Sequence, residues 1–253
     1  MGERSPTMKL GKLPPRYDKR TLMLGKYLDA QLPSPPDACG REFKVGDDFG
    51  MMLNDELGDC TCAAAGHMIQ TWTANTDHMV TPSDLDILEA YKAVGGYDPN
   101  DPSTDRGADE LTVLKYWRTH GISRRKIAAF AALEPKNELH IRDSVFLFGG
   151  CYIGVALPLS AQGQDVWVVP PYGIAGDGAP GTWGGHAVPV VGYGRRGLTV
   201  VTWGKLLRMS WNFWETYVDE AYAIVSQDYL ARGVNPNGFN LAELQSDLAA
   251  VTA

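Results

Sequence analysis

Cys60 is the residue of this chain whose position most favours chemistry. Gly58 and Asp59 precede it where a turn and a helix N-cap belong, and an Ala-rich stretch follows it. A thiol at a helix N-terminus feels the positive end of the helix dipole, which favours the thiolate, the nucleophilic form. The plainer reading of a cysteine is a buried core residue. A third reading is a metal site built from Cys60, Cys62, His67 and His78, since thiolate and imidazole suit zinc. Cys-x-Cys followed by His inside one helix points those ligands in different directions, so no metal and no cofactor are expected. Cys62 competes with Cys60 as nucleophile but lies inside the helix, where thiols are usually buried.

The elements that must position these residues fall into two halves. Residues 1–50 are rich in Pro and charge, and Pro14-Pro15 and Pro33-Ser34-Pro35-Pro36 exclude long regular elements, so an extended arm over the domain is expected. Helices are predicted from Thr61 to about Ala74, from Ser83-Asp84 to Gly95-Gly96, through Leu111, Leu114 and Trp117 to Gly121, and over Glu138–Phe148. Strands are predicted over Cys151–Leu157, Val166–Val169, Ala187–Tyr193 and Leu198–Trp203, while Tyr217–Ser226 reads as strand or helix. Helices first and strands second imply an α+β fold of two lobes, one helical and one a sheet or barrel. At the C-terminus Asn240 caps a helix with Glu243 as capping-box partner, a Phe239/Leu244 staple and a stripe of Leu241, Leu244 and Leu248. That helix either docks on its own domain or meets another protein.

The Cys60 segment, Leu53-Asn54-Asp55-Glu56-Leu57-Gly58-Asp59-Cys60-Thr61, resembles the nucleophile segment of papain-like peptidases. A second segment, Gly184-Gly185-His186-Ala187-Val188-Pro189-Val190-Val191-Gly192-Tyr193-Gly194, is similar to the run that carries the family's histidine. Pro14–Arg20 looks like the family's mature-domain opening, and Arg106-Gly107-Ala108 like one cleft wall. The resemblance covers about residues 13–226 and implies a two-lobed papain-like fold with the cleft between helices and sheet. It implies Cys60 as nucleophile, His186 as the base that takes the thiol proton, and Asn54 in place of the family's oxyanion-hole Gln. The family's triad Asn falls on Val201. Thr202 is then the nearest polar partner for His186, with Asn212 an outside possibility. Gly58, Asp59, Arg106, Gly107, Gly185 and Trp203 would line the substrate cleft. Trp183 and Trp203 flank the histidine, as core or as an apolar shield. Asp59 replaces a Ser, and a carboxylate there disfavours the thiolate. The 59 residues before Cys60 leave no room for the inhibitory propeptide of secreted relatives, so zymogen control is not expected. The compact form is similar to papain-like domains of bacteria and their phages.

Bulk composition narrows the partners. The chain has 253 residues, 44% of them hydrophobic and 21% charged, enough for a substantial core. A net charge of -7 without a basic stripe argues against nucleic acid, and Arg124-Arg125-Lys126 reads as a solvated helix edge. No signal, myristoylation pattern or membrane span is read at the N-terminus or elsewhere, so a cytoplasmic protein or part of a virus-like assembly is expected. Four cysteines fit a fold that does not depend on disulfides. The expected organisation is an arm over 1–50, a catalytic-type domain over 51–226 and an extension over 227–253. Two functions follow from the resemblance. One is a thiol hydrolase acting on peptide or protein substrates. The other is a catalytically weakened papain-like fold that binds or builds, as in a phage virion, with the arm or the C-terminal helix meeting a protein partner.

Overall fold

The computed structural model describes residues 8–28, 32–134, 136–230 and 240–252. In chain order its elements are β1 (Cys39–Gly40), α1 (Cys60–Asn75), α2 (Asp84–Gly95), α3 (Glu110–Thr119), β2 (Ile127–Ala132), α4 (Glu138–Phe148) and β3 (Cys151–Leu157). Then come β4 (Val166–Trp167), β5 (Gly184–Gly194), β6 (Gly197–Thr202), β7 (Lys205–Ser210), α5 (Trp211–Tyr217), β8 (Val218–Ser226), α6 (Gln227–Leu230) and α7 (Leu241–Thr252). The sheet runs β2-β8-β3-β5-β6-β7-β4, with β1 beside β5. All pairings are antiparallel except β4 on β7. This is the expected α+β architecture of helical and sheet parts, with the sheet open between β2 and β4.

Two main apolar cores correspond to the two halves. One gathers Met68, Trp72, Leu114 and Trp117 among the first three helices. The other packs Val145, Ile153, Val188 and Phe213 around the sheet. Helix α1 is buried on every side from Cys60 to Ala74, which explains its small residues: a helix enclosed all round admits only close neighbours. A Cβ on Gly66 would lie 2.3 Å from the Met52 sulfur. Two polar ties join α1 to the sheet half. The Tyr152 hydroxyl donates to the Thr61 carbonyl at 2.7 Å, and the Trp72 indole to the Phe148 carbonyl at 2.8 Å.

Local signals explain the helix ends. Ser83 and Asp86 form a reciprocal capping box on α2, Asp109 caps α3, and Asn137 caps α4. Left-handed Gly96 and Gly149 stop α2 and α4. The expected Arg124–Lys126 helix edge is corrected: the run lies in a tight turn bridged between Ile122 and Arg125, with Ser123 and Arg124 at φ 49° and 61°. Arg125 there pairs with Asp228. The ambiguous 217–226 segment is strand β8, entered from α5. In α7, the Asn240 Oδ1 accepts from the Glu243 backbone N–H at 2.9 Å, as expected of a cap. Leu244 is buried in the chain's own sheet-side core. Phe239 lies outside the described residues. No helix among the described residues is long and apolar enough to cross a membrane.

Candidate active site

Cys60 opens α1, and its side chain is buried, with 1% of the residue exposed. The backbone N–H groups of Ala187 and Gly11 lie near its sulfur and favour the thiolate. Ala187 follows His186 in β5, so the thiol lies against the strand that carries the histidine. His186 pairs across the sheet with Val155 and is also 1% exposed. Its Nε2 and the Thr202 Oγ1 hydrogen-bond at 2.9 Å, while its Nδ1 is buried without a partner. The Trp203 ring covers one face of the imidazole, 4.4 Å between centroids and 12° from parallel, and Trp183 stacks on Trp203 in turn. Trp203 and Gly204, at φ 45° and 73°, make the two-residue turn between β6 and β7. That turn aims Thr202 and Trp203 at one histidine. Asn212 is exposed on α5, and the hydrogen-bond partner of His186 is Thr202.

Both reactive groups are neutral in this arrangement. Burial pushes the Cys60 thiol up to about 12, and the nearby Asp59 adds to the rise, against the opposing pull of the two N–H groups. Burial pulls His186 down to about 3. Asp59 is itself fully buried and its carboxyl is raised well above the ordinary range by desolvation. It makes no side-chain cap for α1. Instead its Oδ1 accepts from the Asn54 amide at 3.2 Å, and the same amide nitrogen donates to the Leu57 carbonyl at 3.2 Å. Both hydrogens of the expected oxyanion donor are therefore engaged within its own loop. That loop is strained: Met52 and Leu53 stand at φ 52° and 68°.

The cleft between the halves contains the chain's own arm. Gly11 and Lys12 donate to the Gly185 carbonyl at 3.3 and 3.1 Å, and the Leu13 N–H to the Ala108 carbonyl at 3.1 Å. The Ala108 N–H returns a bond to the Gly11 carbonyl at 2.9 Å. At one end the Trp203 indole donates to the Lys9 carbonyl at 3.0 Å. Residues 9–13 of the arm thus run between the two halves, beside the helix start at Cys60 and the strand that carries His186.

The glycines of the site are the walls of this passage. A Cβ on Gly11 would lie 1.7 Å from the Gly58 carbonyl oxygen, one on Gly107 1.8 Å from the Gly11 carbonyl, and one on Gly185 2.2 Å from the Lys12 carbonyl. Gly58, Gly107 and Gly185 therefore meet on one strand of backbone. Arg106 is exposed beside them. Sequence reasoning missed the support beneath: Asp105 accepts from the Gly58 N–H at 3.0 Å and from the Tyr91 hydroxyl at 2.5 Å, and that hydroxyl accepts from the Gly107 N–H at 2.9 Å. No motif marks Asp105, which sits in an acidic loop among similar residues. Cys62 is buried, its thiol raised well above the ordinary range by desolvation. The His67 Nε2 is turned to the Gly50 carbonyl at 3.0 Å, and His78 is exposed, so the four residues of the metal reading are not brought together.

No protein-family model and no curated protein sequence matches the chain. Among solved structures it is similar to xylellain, a cysteine protease from Xylella fastidiosa, at 15% identity and TM-score 0.66, over 89% of this chain and 99% of that one. It is also similar to proCathepsin B S9 from Trypanosoma congolense, at 14% identity and TM-score 0.56 over 87% of each chain. Digestive procathepsin L 3 of the Tenebrio molitor larval midgut matches at 11% and 0.56, over 87% of this chain and 76% of that one. The chain has the papain-like fold.

Proposed function

We propose that this chain is a cysteine-type hydrolase of peptide bonds, held latent by its own N-terminal arm. The observation that carries the reading is the placement of Cys60 and the His186 strand in one cleft that an extended backbone already fills. With the arm displaced, water and substrate reach the site, and the burial that keeps both groups neutral is relieved. His186 then takes the Cys60 proton, and the thiolate attacks the carbonyl carbon of the scissile amide. The amine leaves with the proton from His186, and water resolves the thioester to acid and free thiol. Thr202 and Trp203 hold the imidazole, and negative charge on the carbonyl oxygen falls towards the helix N-terminus at Cys60. Asn54 joins only by exchanging Asp59 for the substrate oxygen. The arm's own backbone at Gly11 is engaged elsewhere, its N–H with the Gly185 carbonyl and its carbonyl with the Ala108 N–H. In this reading residues 51–226 are the catalytic unit and 1–50 its cover.

The Asn54–Asp59 pair favours a second reading, a papain-like fold that binds without cleaving, as a component of a larger assembly. One experiment separates them. Gly11→Ala cannot keep the arm in place, since its methyl would overlap the Gly58 carbonyl. In the full chain this substitution is expected to raise Cys60 alkylation at neutral pH by at least ~10-fold, and His186→Ala to abolish the gain. The wild type, with its thiol near 12, reacts slowly until strongly alkaline pH. A thiol that stays inert in Gly11→Ala, or ignores His186, ends the hydrolase reading.

A further inference from the structure

Lys12 is the residue next to Gly11, and its side chain leaves the cleft for a pocket of carboxylates. The ammonium lies 3.0 Å from an oxygen of Asp219 and 3.0 Å from one of Glu220, with its side chain 1% exposed. It also donates to the Leu13 carbonyl at 3.2 Å. Glu110 stands close enough to act strongly on the same charge, and is fully buried with neither carboxylate oxygen hydrogen-bonded. Gly154 makes room for the stem: a Cβ there would lie 1.9 Å from the Lys12 Cε and 2.8 Å from an Asp219 oxygen. The Tyr222 hydroxyl donates to Glu220 at 2.9 Å and fixes it. The three acids come from the start of α3 and from β8, so the pocket is built by both halves of the molecule.

One ammonium pairs with two carboxylates and has a third buried acid, Glu110, nearby, more than a lysine needs for its own burial. Buried acids left without a cation either take up protons or accept a new cation, and a cation that brings its own hydrogen-bond donors satisfies oxygens that protonation leaves bare. We infer that Glu110, Asp219 and Glu220 form the specificity subsite of the cleft, selecting peptides with a Lys or Arg side chain, and that Lys12 is its internal occupant while the arm is in place. This rests on the hydrolase reading for its substrate but not for its chemistry of recognition. The subsite lies one residue from the backbone that covers Cys60, so a substrate would be chosen by a side chain close to its scissile bond.

The test uses full-length Gly11→Ala carrying Cys60→Ala, titrated calorimetrically with acetyl-Gly-X-Gly-amide where X is Lys, Arg, norleucine or Glu. Lys and Arg are expected to bind at least ~10-fold tighter than norleucine, as charge-assisted hydrogen bonds allow. Glu110→Gln and Glu220→Gln should each bring the Lys-to-norleucine ratio towards one without weakening norleucine. A second measurement does not depend on displacing the arm by Gly11→Ala: in full-length Lys12→Ala, n-butylammonium should raise the unfolding temperature, 1-butanol should not, and the wild type should respond to neither. Equal binding of Lys and norleucine, no binding by any peptide, or equal rescue by butanol overturns the subsite and leaves the acids as a latch for the arm. Basic preference without cleavage by the Cys60-intact protein sinks the hydrolase and keeps the subsite. Cleavage without that preference does the reverse.

Discussion

At the scale of the residue, Thr202 is the side chain that holds the His186 ring. An amide would hold an imidazole with a planar acceptor, and here a hydroxyl at 2.9 Å does so, reinforced by the stacked Trp203. Thr202→Val removes the hydrogen bond and keeps the shape. In the Gly11→Ala background it is expected to slow His186-dependent alkylation by roughly 10–100-fold, the range a lost buried hydrogen bond covers. Thr202→Ser should restore most of the rate. A Val variant as fast as its parent would show that ring stacking alone positions the histidine. The placement of Cys60, His186 and Thr202 was legible because each sits inside a local run: a turn before a helix, a core strand, a Trp-Gly turn. Gly11 and Lys12 were not. Their role arises from pairing with Gly185, Ala108, Asp219 and Glu220, all nearly a hundred or more positions away, and nothing local in Leu10-Gly11-Lys12-Leu13 announces it.

At the scale of the element, the long helices and core strands matched their periodicity, whereas β2, β7 and α5 went unread. Strand β7, Lys-Leu-Leu-Arg-Met-Ser, lacks clean alternation because it lies near the sheet's edge between β6 and the two-residue β4. Strand β2 was masked by the basic turn before it. Helix α7 is docked by its first turns: the Asn240 N–H donates to the Tyr27 carbonyl, and the Tyr27 hydroxyl to Asp247 at 2.8 Å. Leu244 carries the apolar part of that contact. Leu244→Ala is expected to cost on the order of 2–3 kcal/mol, visible as a lower unfolding midpoint in denaturant. No shift would mean that α7 contributes nothing to the fold it lies on.

At the scale of the whole molecule, several carboxyls are raised by burial. Asp59 and Glu110 are well above their ordinary range, and Asp143 is at about 6. An acid whose folded pKa is raised holds its proton more tightly when folded. Its contribution is therefore full below the unfolded value near ~4 and is lost as pH climbs through the folded value. Asp86, lowered by Ser83, works in the opposite sense, but only as pH falls below that value. Buried His67 and His186, pulled down to about 4 and about 3, oppose the acids, because their contribution is lost as pH falls below the ordinary imidazole value of ~6.5. Asp143→Asn isolates one acid: between pH 5 and pH 8 the variant should gain roughly 2–4 °C in unfolding temperature relative to the wild type. A difference that does not change with pH would place Asp143 in better-solvated surroundings than its burial implies. The passage of residues 9–13 between the two halves has one more consequence. A segment tethered to its own cleft competes at an effective concentration in the millimolar range, whatever the amount of protein present. Dilution cannot free it, and an incoming peptide sees its affinity reduced by the fraction of molecules that are open. Turnover would then answer to abundant or locally concentrated peptides and ignore sparse ones, a threshold set by the chain's own geometry.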